Sequence, residues 1–155
     1  MRLQSALLAV TVAVAGMAGA GLALLDAPVA SAVESPQTIE LVVGRPAGGA
    51  FVDTGKKGEG IGDSFITTGV RLRDAATRER VGRLDVLATI ASRQAEFVAM
   101  TTRLHDGTIQ VNGVMRHDES PVVLAVTGGT GNYANADGTL ALDERTARAT
   151  FTLLP

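Results

Sequence analysis

Residues 124–142 read LAVTGGTGNYANADGTLAL. An alternating apolar run carrying Leu124 and Val126 enters Gly128-Gly129-Thr130-Gly131. It then passes a small polar loop and leaves as a second alternating run through Leu140 and Leu142. An ordinary hairpin does not need three glycines at one corner. Glycine is required where the backbone takes a positive φ or approaches another strand more closely than a Cβ permits. The stretch therefore reads as strand, specialised corner, strand.

Period two continues on both sides of this corner. Upstream, residues 38–43 (TIELVV) read as a first strand, and glycines at 44, 48, 49, 55, 58, 60 and 62 mark a long loop with a short strand near 50–53. Residues 64–73 alternate, with Ile66, Val70 and Leu72 on one face and Phe65, Thr67, Gly69, Arg71 and Arg73 on the other. Residues 81–92 place Leu84, Val86, Ala88 and Ile90 against Arg83, Asp85, Leu87 and Thr89. Further strands are expected at 95–104, 108–115, 121–127, 139–143 and 147–154, with His105-Asp106-Gly107 as a hairpin turn. Residues 74–80 and 91–100 have some helix propensity, but no segment sustains an apolar stripe over three helical turns. The pattern is all-β and fits a sandwich or an up-and-down barrel. An eight-stranded antiparallel barrel is favoured, because closure removes edge strands and leaves room for one small ligand.

Residues 1–32 have the layout of a secretory signal: a short charged start at Arg2, an apolar run and the Ala30-Ser31-Ala32 cleavage pattern. A retained membrane anchor is the alternative reading of that run. Cleavage implies a secreted protein with no stable membrane insertion. Residues 33–155 are one domain by size, with 33–62 supplying the first strand and glycine-rich loop and 63–155 the rest. The absence of cysteine excludes disulfides, a thiol nucleophile and thiolate metal sites. A net charge of −2 with 3% aromatic residues, and no basic patch, argues against nucleic-acid binding. His105 and His117 lie in turns at a spacing that matches no metal-ligand set, so no metal and no cofactor is expected. A phosphate cradle at the glycine corner would need a following helix and usually a lysine; neither is present.

Three ordered motifs resemble the allene oxide cyclase barrel: Gly62-Asp63 opening one strand with Arg80-Val81-Gly82 opening the next, the run Asp106-Gly107-Thr108-Ile109-Gln110-Val111-Asn112-Gly113, and residues 124–131 as LAVTGGTG. The corner Gly128, Gly129, Thr130 and Gly131, followed by Tyr133, is also similar to the glycine motif of dirigent proteins. The resemblance covers about residues 61–154. It implies an eight-stranded barrel, often a homotrimer, whose lumen takes a small, mainly apolar molecule and steers its cyclisation or coupling. The facing it implies puts Phe65, Thr67, Gly69, Leu84, Val86, Ala88 and Ile90 in that lumen.

The families' reactive residues do not carry over. The cyclase's lumen cysteine falls on Ala88, its asparagine on Gly69, a nearby aromatic on Thr67 and its first-strand glutamate near Val43. Glu40, three residues away, is the one catalytic candidate left. In the dirigent motif an acidic residue falls on Asn132 and an arginine on Asp137. Whether the chain is an enzyme is thus open at this level. Its alternatives are a non-catalytic binding barrel, or an extracellular interaction module with a filled lumen and an apolar exterior patch.

Overall fold

The computed structural model describes residues 35–155, so the expectations for residues 1–32 lie outside the described residues. The described residues are all-β: β1 (Gln37–Val43), β2 (Gly48–Val52), β3 (Ser64–Asp74), β4 (Arg80–Ser92), β5 (Ala95–Leu104), β6 (Gly107–Arg116), β7 (Val122–Gly131), β8 (Gly138–Asp143) and β9 (Arg148–Leu153). The segments 74–80 and 91–100 hold a turn and strand rather than helix. Every pairing is antiparallel. The order runs β1-β9-β8-β7-β6-β5-β4-β3, and β1 pairs back onto β3, closing eight strands into a barrel.

β2 is the ninth strand and bonds only to β3. It occupies the same edge of β3 as β1, farther along. Val43 faces Leu72, whereas Gly48 faces Thr68. Residues 44–47 bridge the two pieces, with the Gly44 and Ala47 amides donating to the Arg71 and Thr68 carbonyls at 2.8 and 3.0 Å. Pro46 lies in this bridge and has no N–H to donate to a ladder, which explains the break.

Alternation fills the barrel's waist. Leu41, Leu72, Ile109, Val111, Leu140 and Phe151 are all at most 2% exposed. Facing positions keep this consistent from strand to strand: Leu84 opposes Thr102, Thr102 opposes Ile109, Leu140 opposes Phe151, and Phe151 opposes Ile39. Burying such side chains stabilises a fold by about 1.5–3 kcal/mol each.

Two sequence expectations need correction. First, β3 does not keep one alternation. Thr67 faces Val86 but Val70 faces Leu84, so two residues of β3 oppose Asp85 alone. This bulge brings Phe65, Thr67, Val70 and Leu72 to the same side, where simple parity separates them.

Second, Gly128–Gly131 is not a corner outside the sheet. β7 runs through it, with Gly128 to Gly131 facing Gln110 to Gly107. Thr127 is the extra residue of a bulge, because Val126 already pairs with Val111. A Cβ at Gly129 would collide with the carbonyls of Thr108 and Tyr133. That close approach requires glycine.

The turn after the corner is tied to the β5–β6 hairpin. The Asn132 amide donates to the Asp106 carbonyl at 3.0 Å, and the Tyr133 hydroxyl to Asp106 Oδ2 at 3.2 Å. Burial, and then the Asp106 carboxylate, push the Tyr133 phenol up to about 12.

Candidate functional site

At the end of the barrel away from the glycine corner, several inward side chains are only half buried. One row is Phe51, Phe65, Ala88 and Val98, each directly opposite the next across β2, β3, β4 and β5. The row above it is Ile90, Glu96 and Met115 across β4, β5 and β6. Ala88 and Val98 are fully buried, whereas Phe65, Val86, Ile90 and Met115 keep partial access to solvent. This end is therefore an apolar mouth above a closed floor.

β2 supplies one lip of the mouth. Its Phe51 ring lies 5.0 Å from the Phe65 ring, tilted by 41°, within the range of favourable aromatic pairs. Phe51 is still 44% exposed.

The loop after β2 forms a second lip and is held by Asp63. That carboxylate accepts the Thr54 amide at 2.7 Å, the Thr54 hydroxyl at 3.0 Å and the Gly60 amide at 2.7 Å. The Thr54 amide in particular holds the carboxyl below its usual range, against the opposing effect of burial. Asp63 is thus a loop anchor.

Between this loop and the β4–β5 hairpin is a cleft of about 390 Å³, with Gly60, Ile61, Ile90, Arg93, Glu96 and His117 on its walls. Glu96 lies in the inward row, and its side chain is only 13% exposed. His117, just past β6, reaches back so that Nε2 lies 3.3 Å from Glu96 Oε1. A carboxylate on an apolar rim, with one imidazole contact, can accept a hydrogen bond or a proton from a bound molecule. A larger hollow of about 570 Å³ lies at the other end of the barrel, between the loop after the corner and the ends of the described chain. It contains no comparable acid–imidazole pair.

The residues expected in the lumen divide as follows. Phe65, Thr67, Leu84, Val86, Ala88 and Ile90 share the inward side, with Leu84 deep in the waist and the others toward the mouth. Gly69 is removed from that side by the bulge. Its φ is +63°, and its amide donates to Asp85 Oδ1 at 2.8 Å on the outer face, where Asp85 also pairs with Arg103 at 2.8 Å. Glu40 stands outside on β1, 58% exposed and 3.7 Å from Arg148. Gly128, Gly129, Thr130, Gly131 and Tyr133 belong to the opposite end of the barrel. His105 lies in the β5–β6 turn, 3.4 Å from the Arg80 carbonyl. Among the described residues, no group of three His, Cys, Asp or Glu gathers as a metal site.

Glu96 and the role of His117 were not recognised from the sequence. The signal was present in residues 95–104. Glu96 keeps step with Val98, Met100 and Leu104, while Phe97 falls out of step. An acid in the apolar register and an aromatic outside it mark an inward carboxylate.

No protein-family model matches the sequence, and no curated protein matches it. Solved structures do. A pyocyanin demethylase is 27% identical, with 76% of this chain covering 98% of that one at a TM-score of 0.62. The exo-specific intermolecular Diels-Alderase AbnU is 14% identical, with 78% of this chain covering 97% of that one at a TM-score of 0.55. A nonspecific heme-binding cyclase that catalyses a cycloaddition in neoabyssomicin biosynthesis is also 14% identical; 79% of this chain covers 66% of that one at a TM-score of 0.54. The two cycloaddition proteins share with this chain the fold alone. The barrel is thus one that known proteins use to act on small molecules.

Proposed function

We propose that this chain is a small-molecule barrel that takes a mainly apolar molecule into the mouth between β2, β4 and β5. One observation carries the reading: the waist is filled by side chains, whereas Phe65, Val86, Ile90 and Met115 are left half covered toward the mouth, where Ile61 and Ile90 line a cleft. Small-molecule sites are typically concave and apolar with a few polar anchors. Binding is therefore placed at the mouth above Ala88 and Val98. The reaction class in this reading is the steering of a cyclisation or coupling, in line with the allene oxide cyclase and dirigent motifs and the cycloaddition barrels of the same fold.

Export of the chain and its assembly as a homotrimer complete the reading. Ala30-Ser31-Ala32 supports the first. The outward side chains Leu87, Phe97, Val114 and Val123, with Phe97 and Val123 60% exposed, support burial of an outer face in the second. The alternative is binding without catalysis, which the substitutions at Thr67, Gly69 and Ala88 favour.

Titration with neutral naphthalene probes, followed by amide and methyl NMR, tests the binding claim. Saturable shifts should concentrate at Phe65, Val86, Ile90 and Met115. Shifts confined to Leu87, Phe97 and Val114 on the outer face would defeat it. Turnover of a cyclisable substrate, lost on changing one mouth residue, separates the enzyme from the binder.

A further inference from the structure

Glu96 is the one carboxylate on the inward rows of β4, β5 and β6. It lies between Ile90 on one neighbouring strand and Met115 on the other. Alternation and the full length of the β5 ladder fix its direction, so it cannot swing outward without slipping the strand register. Turning a carboxylate into an apolar row costs free energy unless something hydrogen-bonds to it. Within the described residues only Oε1 has a partner, His117 Nε2 at 3.3 Å. Oε2 has no protein partner and, since no buried side-chain oxygen among the described residues lacks one, it is open to the cleft of about 390 Å³ beside it, enough for a small bicyclic molecule. His117 is 50% exposed, so the pair joins the recess to solvent and can pass a proton outward.

We propose that Glu96, backed by His117, receives a proton-bearing donor of the bound molecule, a phenolic O–H, an N–H or an ammonium. The ligand is then a small apolar compound with one such donor, seated with its hydrocarbon part against Ile61 and Ile90 of the cleft. The proposal rests on the mouth-binding reading above and adds the polar half of the recognition. Glu96 is by this assignment the residue that determines specificity. Arg93 and Glu59, the other charged groups of the cleft, are both exposed.

The full chain, titrated with 2-naphthol and with 2-methoxynaphthalene, gives a direct test. The two probes share shape and apolar area and differ in the donor. 2-Naphthol should bind about tenfold tighter or more, as expected for a hydrogen bond to a charged acceptor. Glu96→Leu should erase that preference, bringing the ratio of the two affinities to about one. Glu96→Gln should keep part of it, and His117→Ala should reduce it less than Glu96→Leu does.

Equal affinities in the unmodified protein, or a preference that survives Glu96→Leu, would overturn the assignment. If Glu96→Leu does not fold, the side-chain carboxyl resonance of Glu96 in the unmodified protein decides. It should move with 2-naphthol and stay with its methyl ether; a resonance that is still with both overturns the proposal. Failure of both probes to bind would instead bring down the mouth-binding reading, so the two failures are distinguishable.

Discussion

The two ends of this barrel are built from the same alternating strands and finished in opposite ways. At the corner end, polar groups and close contacts are satisfied within the chain. Gly129 lets two strands touch, and Tyr133 and Asn132 both turn onto Asp106. At the mouth, apolar side chains remain half covered, and the Glu96 carboxylate has a partner at one oxygen only. Internal satisfaction rigidifies, while a concave apolar surface with an accessible polar anchor invites a ligand. The comparison assigns stability to the corner and waist, and recognition to the mouth.

The largest effect should come from the waist that both ends share. Phe151→Ala should cost about 3–5 kcal/mol, because it removes a wholly buried ring between Ile39 and Leu140. Denaturant unfolding measures this directly. A loss below about 1 kcal/mol would mean the waist is not the packed floor on which the mouth rests.

Gly129→Ala should come next, at about 1–3 kcal/mol. The obstacles are the Thr108 and Tyr133 carbonyls, which cannot rotate aside as a side chain does. A neutral result would show that the corner end can relax, and would weaken the contrast with the mouth.

Tyr133→Phe should cost about 1 kcal/mol, the ordinary net worth of one hydrogen bond. The pH dependence gives a second check. The phenol's value in the folded protein, about 12, lies above its ordinary 10.0. Its contribution is therefore complete below pH 10 and is lost as pH rises toward 12. This chain has a single tyrosine and no tryptophan, so ultraviolet titration follows that one phenol. Ionisation near pH 10 in the folded protein would contradict a buried phenol bonded to Asp106.

The barrel was largely legible in the sequence because period two records facing wherever one side is buried. Leu84, Val86, Ala88 and Ile90 fall inward as their alternation says. Parity fails at bulges, since one added residue reverses every later side chain. Gly69 was thus placed inside, and Val70 and Leu72 were separated from Phe65 and Thr67. The glycines of 128–131 marked an irregularity, but single-strand pattern could not show that β7 continues through it against β6. At the site, the apolar wall could be read from alternation. The Glu96–His117 pair could not, because it joins a strand residue to a turn residue 21 positions away, and only the β5–β6 register sets that distance.

The smallest stability effect and the sharpest test of the contrast belong to Phe51→Ser. Phe51 sits on a strand that bonds only to β3, and its ring is 44% exposed. Its pairing with Phe65 contributes about 0.5–1.5 kcal/mol beyond burial in favourable cases, and partial exposure lowers that share. The substitution should therefore change unfolding by no more than about 1 kcal/mol, while naphthalene affinity at the mouth falls several-fold. The reverse pattern, with affinity unchanged and stability falling as far as in Gly129→Ala, would make β2 a structural strut. The two ends would then differ in shape only. A drop in affinity with stability preserved locates recognition in the half-covered aromatic pair, because Ala88 and Val98 of the same row are untouched.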